Sequence, residues 1–183
     1  MTILVTGGAG FIGSVLIREL LSQGYKVKCL DRFIFGEESL KEIENNENLE
    51  IIKADTRTFN PTILNDVSVV VDLAAIGQPD PKQLIDPTLF YDINYLGPVR
   101  VATLSKIKGV ERYIFASTCS TYGFQKEIVN ETSKLNPIDI YAKTKAQVEK
   151  YIFQLSDANF SVTALRFATL YGCLLYTSPS PRD

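Results

Sequence analysis

The chain of 183 residues contains no histidine and no tryptophan. Without imidazole there is no His-based nucleophilic triad and no His-containing zinc site. Its three cysteines, Cys29, Cys119 and Cys173, form no C-x-x-C pair, which excludes a disulfide framework and a zinc knuckle. No apolar run approaches the ~18 residues of a membrane span. The first apolar run, starting at Ile3, leads straight into a glycine-rich turn and leaves no room for a signal peptide. Neither sign of charge dominates: 19 Lys and Arg stand against 21 Asp and Glu, so the basic excess of a nucleic-acid binder is missing. These absences point to a globular protein of a reducing compartment, expected in the cytoplasm, with no membrane, nucleic-acid or metal partner.

What is present is an alternation of short β-branched runs with longer helical patterns, the mark of an α/β protein built on a doubly wound parallel sheet. Strands are expected at 2–6, 26–31, 50–54, 67–75, 112–116 and 161–166. Helices are expected at 14–22, 88–108 and 138–155, with a short surface helix within 37–48. Val67–Ala75 (VSVVVDLAA) is the most apolar strand and therefore a central one. Gly97-Pro98 falls inside the second long helix and should bend it, because proline removes a hydrogen bond.

The first strand runs into Thr6-Gly7-Gly8-Ala9-Gly10-Phe11-Ile12-Gly13, with glycines at G-x-x-G-x-x-G spacing before a helix. Gly7 permits a tight turn, Gly10 lets the backbone approach a pyrophosphate, and Gly13 lets helix and strand lie close. The positive end of the helix and its unpaired N–H groups then face the phosphates. Asp31 ends the second strand about 20 residues later, where a carboxylate accepts both ribose hydroxyls and repels a 2′-phosphate. The cofactor expected is NAD; Arg32 beside it is the one residue that could pair with such a phosphate.

Tyr141 and Lys145 lie four apart at the start of a helix and so share a face. A phenol titrates near ~10, and a nearby ammonium in a partly dry site can lower it toward neutrality, which makes Tyr141 an acid/base in a chain without histidine. The segment Phe115-Ala116-Ser117-Thr118-Cys119-Ser120-Thr121-Tyr122-Gly123 follows the fifth strand, at the sheet edge where α/β folds bind ligands, and any of its hydroxyls could hold a reacting oxygen.

Taken together, TGGAGFIG, LDRF, ADTR, DLAA, FASTCSTYG, YAKTK and LRFATLYG resemble the extended short-chain dehydrogenase/reductase family, in its NAD-dependent nucleotide-sugar epimerase/dehydratase branch. The likeness runs from Met1 to about Gly172. It implies a Rossmann fold in which Gly7, Gly10, Phe11, Ile12 and Gly13 wrap the pyrophosphate and Asp31, with Arg32 beside it, binds adenosine ribose. It also implies that Asp55 and Thr56 flank the adenine, that Leu73, Ala74 and Ala75 lie against the cofactor, and that Asn94 stands behind the active site. Thr118, Tyr141 and Lys145 match the catalytic residues, Lys145 also holding the nicotinamide ribose. Ala168 and Thr169 fall where the family chain passes nicotinamide and substrate.

The departures narrow the reading. Family dehydratases carry an acid at one or both positions after the catalytic hydroxyl; here these are Cys119 and Ser120, which favours epimerisation or plain oxidoreduction over dehydration. Asp72 stands where a histidine is frequent, and Ile76 near a position where some hexose 4-epimerases place a phosphate-contacting lysine. Residues 173–183 (CLLYTSPSPRD) fit no element and match a translated sequencing adapter, so the domain is expected to be 1–172, cut before most of the substrate lobe. The resemblance then implies an epimerase that homodimerises at full length through the helices around 88–108 and 141–155. A reductase, a dehydratase or a non-catalytic NAD-binding fragment is the alternative, and weak NAD binding without sugar turnover is expected of these 183 residues alone.

Overall fold

The computed structural model describes residues 1–77 and 87–170. Six strands form one parallel sheet in the order β3-β2-β1-β4-β5-β6: β1 Thr2–Thr6, β2 Lys26–Asp31, β3 Leu49–Lys53, β4 Val67–Asp72, β5 Arg112–Thr118 and β6 Ser161–Phe167. The order reverses between β1 and β4, the place where a doubly wound sheet opens a crevice at its carboxyl edge. The α/β reading from sequence, a Rossmann-type doubly wound sheet, is the fold observed.

Successive residues of the central strands enter two cores, which is why those strands read as continuous apolar runs rather than alternating ones. Leu4, Leu30 and Val70 pack with Val101, Val148 and Ile152 of the helices on one face. Ile3, Val5, Val27, Cys29 and Val69 pack with Ile17 on the other. The helices are α1 Phe11–Ser22, α2 Pro87–Tyr91, α3 Gly97–Ile107 and α4 Ile140–Leu155.

Four elements depart from expectation. Helix α1 begins at Phe11 rather than at 14, with Gly10 as an N-cap that offers no side-chain hydrogen bond, so the last third of the glycine string is already helical. The expected 88–108 helix is split by a π-helical turn, Asp92–Leu96, in which the Gly97 N–H reaches back to the Asp92 carbonyl. Pro98 sits in the first turn of α3, where its missing N–H costs least, and the widened turn before it absorbs the bend. The surface helix foreseen within 37–48 is reduced to one 3-10 turn, Glu38–Leu40, in which Leu40 is buried, with Ile43 partly buried beyond it. Strand β4 also stops at Asp72, leaving Leu73–Ala75 free to line the sheet edge. Residues 173–183 lie outside the described residues.

Candidate functional site

A cleft of about 810 Å³ runs along the carboxyl edge of the sheet, across the reversal point. Gly7, Gly10, Phe11, Ile12 and Gly13 form its floor at the start of α1. Gly7 has φ +64°, and a Cβ there would stand 2.9 Å from backbone atoms of Ala74. At Gly13 a Cβ would meet the Gly7 carbonyl oxygen at 2.4 Å and Gly8 Cα at 2.6 Å, so α1 can approach the turn only without a side chain. The Gly10 N–H bonds the Gly7 carbonyl, and Ser14 N–H closes the first helical bond onto Gly10. The first-turn N–H groups of Phe11, Ile12 and Gly13 thus have no intrahelical acceptor and face the cleft as an anion site.

The β2–β3 end of the cleft carries charge. Asp31 accepts the Ala9 N–H at 3.0 Å on one oxygen and the Phe33 N–H at 2.8 Å on the other. A carboxylate has about four acceptor positions, so two remain for vicinal hydroxyls. Asp55 is gripped by Arg57, 3.0 Å from Nε to Oδ1 and 2.7 Å from Nη2 to Oδ2, and lies 3.3 Å from Arg32 Nε. The Arg57 guanidinium holds the Asp55 carboxyl below the usual carboxylate range. Arg32 is therefore engaged by an acid, Asp55. Thr56 lines the cleft and also supports α3: its Oγ1 would be 2.8 Å from a Cβ at Gly97.

At the other end lie Leu73, Ala74, Ala75, Ile76 and Tyr141. Asn94 does not reach the cleft. Fully buried in the π turn, it bonds both the N–H and the carbonyl of Ile76 at 3.0 Å and so fixes the cleft wall from behind. Lys145 is also buried, its Nζ donating to the Ala116 carbonyl at 2.8 Å and standing 5.6 Å from the Tyr141 ring centre. Thr118 caps the 3-10 turn Cys119–Tyr122, its Oγ1 accepting the Ser120 N–H at 3.2 Å, and lies outside the cleft lining. Ala168 is exposed just past β6 and is not brought to the cleft either, since β6 ends the sheet three strands away from β1.

The electrostatics of the Tyr141–Lys145 pair correct the expectation of an acidified phenol. Burial, and then Asp139, push Tyr141 above its ordinary value. Lys145 is drawn away onto the Ala116 carbonyl, and burial lowers its own pKa to about 8. The pair shares a helix face, as the spacing requires, but the resting phenol is protonated.

Several supporting residues escape a reading of motifs. Gly8 is demanded by packing: its Cβ would fall 2.4 Å from Cys29 Sγ and 2.7 Å from Ile17 Cδ1. Ser39 donates to the Ala9 carbonyl at 2.7 Å and ties the loop after β2 to the glycine turn. Glu149 pairs with Arg166 at 2.7 Å; its place four residues after Lys145 was the available signal.

A parallel sheet with a glycine turn, an acid at the end of β2 and a tyrosine at the far end of one cleft defines a domain of the short-chain dehydrogenase/reductase type. The model of the NAD dependent epimerase/dehydratase family matches residues 3–182, and the chain belongs to that family. It is 32% identical over 182 residues to UDP-glucose 4-epimerase 1 of Oryza sativa subsp. japonica, covering 91% of this chain and 50% of that protein. It is 34% identical over 189 residues to Protein CapI of Staphylococcus aureus, covering 94% and 55%. Among solved structures, UDP-glucuronic acid 4-epimerase from Bacillus cereus in complex with UDP-glucuronic acid and NAD superposes with TM-score 0.87 at 29% identity, over 94% of this chain and 58% of that one. The chain spans about half the length of the curated relatives it matches. Among the described residues no helix is long and apolar enough to cross a membrane.

Proposed function

We propose that the chain is the NAD-binding half of a nucleotide-sugar epimerase, acting at a hydroxyl-bearing carbon of the sugar. The observation that carries this reading is one cleft lined at one end by Asp31 and the glycine cradle and at the other by Tyr141. The fit to a dinucleotide rests on space that a Cβ at Gly7 or Gly13 would fill, and on a carboxylate with acceptor positions to spare. Asp31, with Asp55 engaging Arg32, supports NAD over a cofactor carrying a 2′-phosphate. NAD, when bound, supplies the hydride acceptor and the positive charge of its oxidised ring.

The remaining work falls to the chain's own residues. Tyr141 first gives up the phenol proton it holds at rest; the phenolate then takes the proton of the sugar hydroxyl as the carbon loses hydride, and returns it when hydride comes back on the opposite face. Thr118 donates to the same oxygen in place of Ser120 Oγ, to which its hydroxyl donates at rest, and the Lys145 ammonium stabilises the Tyr141 phenolate before it takes the proton. Cys119 and Ser120, exposed on the turn after Thr118, offer no carboxylic acid, which supports epimerisation rather than loss of water. The sugar pocket belongs to the length that the relatives have and this chain does not cover, and dimerisation through the outer faces of α3 and α4 is part of the same reading.

The test uses NAD and UDP-sugars with a chain extended to the relatives' full length, separating the 4-epimers after incubation. Tyr141→Phe is expected to lower turnover by roughly 10²–10⁴-fold while NAD affinity, measured by calorimetry, stays within twofold. Undiminished turnover in that variant overturns the assignment of Tyr141. The 183-residue chain itself is expected to bind NAD and to leave the sugars unchanged.

A further inference from the structure

Beneath the cleft lie four ionisable side chains: Asp72, Lys145 and Glu149, each no more than 2% exposed, and Arg166, 19% exposed at its side chain. Glu149 and Arg166 satisfy each other. The guanidinium Nε lies 3.1 and 3.2 Å from the two carboxylate oxygens, Nη2 lies 2.7 Å from one of them, and Ser117 donates to Glu149 as well. Asp72 and Lys145 remain, opposite in sign and equally buried, and their hydrogen bonds go only to neutral groups. The Asp72 carboxyl meets the hydroxyls of Thr6 and Tyr113, one on each oxygen; burial pushes its pKa up, and these two hydroxyls, with the Lys145 charge, favour the ionised form against that effect. Lys145 Nζ donates to Ala116 and lies 4.5 Å from the ring centre of Phe115, the residue paired with Asp72 across β4 and β5.

A buried ammonium persists only opposite a negative charge. We propose that Asp72 is the counter-ion of Lys145, a positioning residue that keeps the ammonium charged and seated beside Tyr141. Thr6 and Tyr113 hold the carboxylate in place. Thr6 Oγ1 also accepts the Ala74 N–H at 3.2 Å, so the same carboxylate braces the cleft wall against which Gly7 packs. The groups acting on Lys145 are Asp72 from β4, the Ala116 carbonyl and the Phe115 ring from β5, and Tyr141 and Glu149 from its own helix, with Arg166 of β6 paired to Glu149. Burial depresses the Lys145 pKa, and Asp72 is the larger of the two carboxylates opposing that effect. Its significance for catalysis rests on the epimerase reading.

The experiment is a ¹³Cε-lysine NMR titration of the full chain, with the Lys145 resonance assigned through Lys145→Met. Wild-type Lys145 is expected to titrate at about 8. Asp72→Asn is expected to lower that midpoint by roughly one to three pH units, the scale of one opposite charge at close range. An unchanged or raised midpoint overturns the proposal. Should Asp72→Asn not fold, the ¹³Cγ shift of Asp72 in the wild type at neutral pH decides: a carboxylate value supports the counter-ion, a carboxylic-acid value overturns it. Neither readout depends on turnover, so the epimerase reading and the ion pair can fail separately.

Discussion

Lys145 is the residue whose environment departs furthest from that expected of an exposed lysine. An unfolded chain protonates it up to ~10.4, whereas the fold lets it lose its proton at about 8. Between those values the unfolded state binds the extra proton, so folding stability rises with pH through that window. Relative to Lys145→Met, which carries no proton, the wild type is expected to gain stability on the order of 2 kcal/mol between pH 8 and 10, read by urea unfolding at fixed ionic strength. A flat difference would mean that the ammonium is solvated. Cys29 illustrates the same physics without function: burial, and then Asp31, push its thiol up to about 12, so it stays inert in the folded protein.

At the scale of elements, the glycine turn links sequence to structure most tightly. Gly13 faces backbone atoms rather than a movable side chain, so a methyl there must push α1 away from β1. Gly13→Ala is expected to cost roughly 1–3 kcal/mol of stability, the range for overpacking, and to weaken NAD binding more than tenfold. Calorimetry and thermal unfolding check both; retained affinity would show that α1 need not seat so closely. Strands, glycines, Asp31 and the Tyr141–Lys145 pair were legible because each is a local pattern with a fixed spacing. The start of α1 was not, since Gly10 caps it without a side-chain signal, and neither was the π turn that directs Asn94 onto Ile76. The roles of Asp72 and Arg166 depend on partners 41 and 66 residues away in one case and 17 and 44 in the other, beyond any local pattern. Ala168 was placed by family likeness alone, and the described fold leaves it exposed at the far edge.

For the whole molecule, the cleft couples ligand to stability. A ligand that binds only the folded state at 100 times its Kd adds about 2.7 kcal/mol, and each kcal/mol moves the Tm of a domain this size by about 2–4 °C. Saturating NAD is therefore expected to raise the Tm by roughly 5–10 °C, and NADP by clearly less, because its 2′-phosphate would meet Asp31; equal shifts would remove the acid's role. Strand β6 forms one edge of the described sheet, with Leu165 40% exposed. The proposed function requires one dinucleotide to span this cleft from Asp31 to Tyr141. Intermolecular nuclear Overhauser effects between NAD and the labelled chain test it most directly: the account predicts cross-peaks from the nicotinamide ring protons to the Tyr141 ring, and saturated NAD showing none there would contradict it.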